Sequence, residues 1–164
     1  MTRQRYQALM EFWAKQPGLG RLVSRVASLL TGSVYLGYTL ALGILALGRD
    51  PRLIRMTLVP LVVFLGGTAL RRAINAPRPY EVYGIPPLTH KDTKGQSFPS
   101  RHVFSAGVIA VGFAWLCPAW GWAAFLVAGA IALCRVLTGV HFPRDVLGGL
   151  VLGAGAGWLG FFLI

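Results

Sequence analysis

Acidic side chains are nearly missing from this chain. Only five of its 164 residues are Asp or Glu, against 16 Lys and Arg, giving a formal net charge of +11. Those five, Glu11, Asp50, Glu81, Asp92 and Asp145, offer no carboxylate cluster that could hold a metal ion. Cysteine is almost as scarce. Cys117 and Cys134 lie in or beside apolar segments, which excludes a disulfide framework and any metal-ligand spacing. Charged residues of both signs make up 13%, well below the roughly 25% of soluble domains. The first sixteen residues are mixed and charged, so no cleavable signal pattern is read there, and insertion is expected to rely on the first spanning helix. No internal repeat and no low-complexity tail is present. Nucleic acid is excluded as a partner, because the basic residues sit in short loops beside apolar runs.

What fills the chain instead is apolar. Hydrophobic residues make up 55% of it, and the mean hydropathy is +0.60. The expected fold is all-α: a polytopic membrane bundle of about five transmembrane helices preceded by an interfacial amphipathic helix. Residues 1–18 form that first unit. Tyr6, Leu9, Met10 and Trp13 repeat at helical spacing, while Arg3, Gln7, Glu11 and Lys15 are polar. The segment is too short and too charged to span, and Pro17-Gly18 is expected to break it. Residues 19–164 form the transmembrane domain. Spans are expected at about 28–47 (with room to extend back through Arg21 and Arg25), 53–74, 101–116, 120–137 and 143–162. Asp50-Pro51 is suited to start the second, and Pro143 the fifth. Gly149, Gly153 and Gly157 give the fifth span a small-residue face. That face suits packing inside the monomer first, and a homodimer seam second.

Five spans place the end of the second, the start of the third, the end of the fourth and the start of the fifth on one membrane side. The unusual polar residues all fall there: Arg71, Arg72 and Arg78; Ser100, Arg101 and His102; Arg135; His141, Arg144 and Asp145. Each alone has an ordinary explanation. Arginines near helix ends snorkel to headgroups, and an Asp favours a helix N-terminus. Together they form a functional constellation at membrane depth. Fixed arginines and helix N-terminal amides stabilise a phosphoryl group whose charge spreads over three oxygens. A neutral imidazole can attack phosphorus when its second nitrogen is held by a carboxylate. His141 and Asp145, four residues apart, suit that pairing, and His102 can protonate the leaving oxygen.

Three stretches carry a resemblance. Arg71, six residues, Arg78-Pro79; Pro99-Ser100-Arg101-His102; and Cys134-Arg135, five residues, His141, three residues, Asp145 match in order and spacing the three signature motifs of the type 2 phosphatidic acid phosphatase superfamily. That family also includes bacterial acid phosphatases and vanadium haloperoxidases. The resemblance implies His141 as the nucleophile forming a phosphohistidine, Asp145 as its orienting partner, and His102 as general acid and then base. It implies Arg71, Arg78, Ser100, Arg101 (through its backbone) and Arg135 as the phosphate cradle, with no cofactor. Three positions depart from the family pattern: Arg71 for lysine, Arg101 for glycine and Cys134 for serine. Many membrane relatives have six spans; here the amphipathic helix stands in place of the first.

The expected activity is hydrolysis of a lipid phosphomonoester or diphosphate, of the phosphatidic acid, phosphatidylglycerol phosphate or polyprenyl diphosphate type. The alternatives are a lipid phosphotransferase, and a non-catalytic lipid-phosphate binder or transporter. The partners are the phosphorylated lipid and the surrounding membrane lipids. The loop 80–98, with Tyr80, Tyr83, Lys91 and Lys94, is read as shaping headgroup access. Basic residues flank both membrane sides. The resemblance favours a multi-pass protein of the plasma or inner membrane with its site on the extracytoplasmic face.

Overall fold

The computed structural model of the chain describes residues 1–89, 91 and 93–164; within the loop 80–98, positions 90 and 92 lie outside the described residues. Among those described, the structure is helical and contains no strand. Its elements are α1 (Arg3–Lys15), α2 (Pro17–Leu47), α3 (Arg52–Ile74), the short α4 (Pro79–Tyr83), α5 (Arg101–Leu116), α6 (Pro118–Leu137) and α7 (Pro143–Trp158). A π-helical turn, Leu159–Leu163, continues α7. Among the described residues, four stretches are long and apolar enough to cross a membrane: Pro17–Leu47, Arg52–Tyr83, Pro118–Leu137 and Pro143–Leu163. The third expected span is α5, a shorter apolar helix of 16 residues.

Pro17 follows the end of α1 at Lys15, so the expected break is present, but a new helix begins on this residue. It occupies the first turn of α2, where its missing N–H costs nothing, so α2 starts at once and runs for 31 residues. Arg21 and Arg25 are therefore helical, as the backward extension of the first span anticipates. At its other end Asp50 Oδ1 accepts the Arg52 N–H at 2.9 Å and starts α3. Asn75 ends α3 in a left-handed conformation (φ 43°), its N–H returning to the Arg71 carbonyl at 3.0 Å.

The central helix is α5. Ten consecutive residues, Val103 to Gly112, are buried, and α7 and α6 pack along it most extensively. The glycine face of α7 makes that approach possible. A Cβ at Gly149 would meet the Ser100 carbonyl oxygen at 2.8 Å, and one at Gly153 would strike the Phe104 carbonyl. The face is thus used for packing inside the monomer, the first of its two expected uses. Around α5, large apolar side chains point outward, among them Leu29, Leu36, Leu40, Ile44, Leu126 and Val151. An outer surface of this kind suits hydrocarbon as its solvent.

The helix α1 packs where its apolar spacing predicts. Tyr6, Met10 and Trp13 are buried in a small cluster with Val23, Tyr83, Ile85, Leu88 and Leu137. This cluster fixes α1 to the end of the bundle that carries the polar residues.

Candidate active site

Five structural pieces bring the site together: the ends of α3 and α6, the starts of α5 and α7, and the irregular run at 95–100. At the end of α3, Arg71 turns inward and is 5% exposed, while Arg72 is exposed, so Arg71 fills the first motif position. Its Nη1 donates to the Pro99 carbonyl, tying the first motif to the second. Arg78 is equally buried, and its Nε donates to the Gly95 carbonyl at 3.0 Å. Glu81 supports it. One carboxylate oxygen, Oε2, accepts both the Arg78 N–H and the Gly95 N–H at 2.8 Å. Gly95 has φ +65°, and a Cβ there would collide with the Asn75 side chain, so the turn that presents Arg78 requires glycine.

At the start of α5, Ser100 is fully buried, and its N–H donates to the Asp145 carbonyl at 2.8 Å. Its hydroxyl makes no capping hydrogen bond and has no partner among the described residues. A buried hydroxyl left free beside a helix N-terminus is matched to an anion, because the first amides of the helix are also without helical acceptors. Arg101 points out to solvent. His102 is partly buried, among Arg135, Lys91, Arg101 and His141. Arg135, near the end of α6, donates through Nη2 to Thr31 Oγ1 at 3.3 Å, and its buried Nε has no partner among the described residues.

His141 sits in the loop between α6 and α7 and is 3% exposed; Asp145, at the start of α7, is 0% exposed. Their separation, 3.7 Å from Nδ1 to Oδ2, is too long for a hydrogen bond. Ser97 stands between them. Its Oγ donates to Asp145 Oδ2 at 2.6 Å and lies 3.4 Å from His141 Nδ1. The same carboxylate oxygen accepts the Phe142 N–H at 2.9 Å, capping α7. Because the single Ser97 proton is given to Asp145, its lone pairs face Nδ1, and His141 can satisfy them only as the Nδ1–H tautomer. That leaves Nε2 with its lone pair. Burial first, and the positive charges of Arg78 and Arg71, push the His141 pKa down to about 4 against the opposing pull of Asp145. At neutral pH the imidazole is uncharged, as a nucleophile must be.

The loop carrying His141 is held from outside by α1. Tyr6 Oη donates to the Gly139 carbonyl at 3.1 Å, and Trp13 Nε1 donates to the Leu137 carbonyl at 2.9 Å. Burial, with Tyr80 nearby, raises the Tyr6 pKa to about 12, so the phenol remains a donor. Gly139 adopts φ +75° with the Tyr6 and Met10 side chains against it. Across the cluster, Lys91 lies in the combined field of Arg78, Arg135, Arg101 and Arg71, which adds to burial in lowering its pKa. Five cations therefore converge on one end of the bundle.

Of the residues singled out by sequence, Arg71, Arg78, Ser100, His102, Arg135, His141 and Asp145 are thus assembled in one place, with Arg101 at the rim, while Arg72 and Arg144 are exposed. Ser97, Glu81, Tyr6, Trp13 and Lys91 join them. Ser97 had a readable signal, since it stands two residues before the second motif, and Glu81 is the third residue of the helix that Pro79 begins. The contact of α1 with the His141 loop joins residues more than 120 apart and has no local signature.

Residues 52–163 match the PAP2 superfamily. The chain belongs to that family. Two curated relatives, lipid A 1-phosphatases from Rhizobium johnstonii and Rhizobium etli, are each 36% identical to it, over 57% and 59% of this chain. The chain spans 41% and 43% of their lengths, so it matches less than half of each. Among solved structures, a transmembrane PAP2-type phosphatidylglycerolphosphate phosphatase from Bacillus subtilis superposes with a TM-score of 0.71 at 26% identity, covering 96% of this chain and 83% of that one. Aquifex aeolicus LpxE superposes with a TM-score of 0.69, also at 26% identity, covering 88% and 86%. PAP2 membership, with the apolar helices, makes this a multi-pass membrane protein.

Proposed function

We propose that this PAP2 protein is an integral membrane phosphatase that hydrolyses a lipid phosphomonoester or diphosphate through a phosphohistidine at His141. The observation that carries the reading is the buried, neutral His141 held by Ser97 and Asp145 among five converging cations. In the first step His141 Nε2 attacks the terminal phosphorus, the bond from it to the leaving oxygen breaks (the lipid alcohol's in a monoester, the bridging oxygen of a lipid phosphate in a diphosphate), and His102 gives that oxygen a proton. In the second step His102 takes a proton from water, the resulting oxygen attacks phosphorus, and the P–N bond to His141 breaks to release inorganic phosphate. Arg71, Arg78, Arg135, Ser100 Oγ and the α5 amides hold the three phosphoryl oxygens in both steps. Ser97 and Asp145 keep the Nδ1 proton in place as positive charge develops on the ring.

Lys91 and Arg101 stand at the rim of this cradle, where a headgroup or a second phosphate of a diphosphate would lie. The substrates named for the relatives put lipid A 1-phosphate and phosphatidylglycerol phosphate first among the candidates, followed by phosphatidic acid and polyprenyl diphosphates. The site would sit at the membrane interface, with α1 lying in the interfacial layer, on the extracytoplasmic face of the plasma or inner membrane. Labelling of single cysteines placed in the loop 80–98 reports that face.

The deciding assay is phosphate release from a panel of these lipids in micelles, with His141→Ala alongside. Release from at least one lipid, abolished in the variant, is the expected result. Lipid binding without release from any member of the panel would make the site a receptor instead.

A further inference from the structure

A cavity of about 980 Å³ lies outside the catalytic cluster, between α1, the first turns of α2 and the segment 85–89. Its floor is apolar, formed by Met10 and Trp13, and three arginines line it: Arg3 from α1, and Arg21 and Arg25 from α2. Arg21 and Arg25 are one turn apart and share a helix face. None of the three has an ion-pair or hydrogen-bond partner for its guanidinium among the described residues. The acid on the cavity wall, Glu11, is engaged with Gln7 Nε2 at 2.9 Å. The segment 85–89 divides this space from His141, tied by the Leu88 N–H to the Thr138 carbonyl at 3.1 Å and by the Ser24–Thr89 hydroxyl pair at 3.2 Å.

The depth of the cavity follows from helix lengths. The 31 residues of α2 rise about 46 Å, and the hydrocarbon core of a bilayer is about 30 Å. The neighbouring α3 has 23 residues and is joined to α2 at the opposite end. The surplus length of α2 therefore projects at the end that carries Arg21 and Arg25, in the headgroup layer. Next to this face around α2, one position on from Arg21 and Arg25, Leu22, Val26 and Leu29 form an outward apolar strip that leads away from the cavity lining.

We infer that this cavity is a binding site for the headgroup of an anionic phosphodiester lipid, separate from the catalytic centre. The phosphate lies between Arg3, Arg21 and Arg25, and the acyl chains follow the Leu22–Val26–Leu29 strip. The apolar floor and strip favour a lipid over free inorganic phosphate, which would gain nothing from them. The net positive lining excludes a zwitterionic headgroup as the preferred occupant.

Native mass spectrometry of the delipidated full chain, offered phosphatidylglycerol or phosphatidylcholine, tests this. The wild type is expected to retain phosphatidylglycerol in preference. R21Q/R25Q should lose that retention about 10-fold or more, R21K/R25K should keep most of it, and Arg135→Gln should leave it unchanged. Circular dichroism and gel filtration of each variant show whether it is folded. Equal retention of the two lipids by the wild type would overturn the site, as would loss in Arg135→Gln with retention in R21Q/R25Q. Displacement of the lipid by millimolar inorganic phosphate would overturn the assignment to a lipid.

Discussion

Ser97 Oγ donates to Asp145 Oδ2 at 2.6 Å while lying 3.4 Å from His141 Nδ1, so a serine hydroxyl bridges the carboxylate and the imidazole. The bridge makes a kinetic prediction. Ser97→Ala should lower kcat about 10–100-fold with little change in KM, the range seen when an outer-shell partner of a ligating or reacting group is removed. Ser97→Thr keeps the hydroxyl and should recover much of the loss. A Ser97→Ala enzyme with unchanged kcat would show that Asp145 reaches His141 without the bridge.

The depressed pKa of His141 sets the acid side of the pH profile. Its value of about 4 lies below the roughly 6.5 of free imidazole. The ring is neutral and competent above about 4, and it loses its lone pair below. The rate on a soluble phosphomonoester should therefore hold through pH 6 and 5, and fall only as the pH passes about 4. Protonation of His141 in the unfolded chain begins near 6.5, so its contribution to stability should decline from there toward 4 and then level off. A rate inflection near 6.5 assigned to His141 by its variants would contradict this environment.

Tyr6 links α1 to the His141 loop. Tyr6→Phe removes one buried donor to the Gly139 carbonyl and should cost about 1 kcal/mol, with a lower kcat because the loop is less firmly held. Thermal inactivation of the detergent-solubilised variant measures the first effect, and steady-state kinetics the second. Unchanged values in both would reduce α1 to a surface attachment.

Gly153 sets the distance between α5 and α7. Gly153→Leu places a side chain against the Phe104 carbonyl and should destabilise by about 1–3 kcal/mol or more, enough to lower the yield of folded protein. Gly155, whose Cβ position is open, should accept alanine without loss. Equal tolerance at the two positions would contradict the close packing.

Arg101 occupies a position where the family pattern has glycine, and it faces solvent. Arg101→Gly should leave hydrolysis of a small soluble ester nearly intact and lower kcat/KM on a lipid diphosphate by up to about 5-fold, the upper reach of an exposed ion pair. An equal effect on monophosphate and diphosphate lipids would remove its role at a second phosphate.

Much of this architecture was legible because the membrane simplifies it. Apolar runs ended by proline and asparagine marked the helices, and α5 spans the very residues expected, 101–116. The polar residues were legible as a group because so few others lie at membrane depth. Two features were not. Pro17 does break the chain after α1, which ends at Lys15, but proline is tolerated in a first helical turn, so α2 begins there, 11 residues ahead of the expected core span. The 3.7 Å gap between His141 and Asp145 was also invisible, since spacing places two residues on one helix face without fixing whether their side chains touch. The Ser97 bridge follows from where the 95–100 run crosses α7, which only tertiary packing decides.

The central claim is that His141 carries the phosphoryl group. It is tested most directly by denaturing the enzyme during turnover at alkaline pH, where phosphohistidine survives, and mapping the phosphate by peptide mass spectrometry. The account predicts phosphate on His141, its absence in His141→Ala, and a loss of activity in that variant of several orders of magnitude, ~10⁶ in a well-studied hydrolase. Phosphate on another residue, or substantial turnover by His141→Ala, would contradict it.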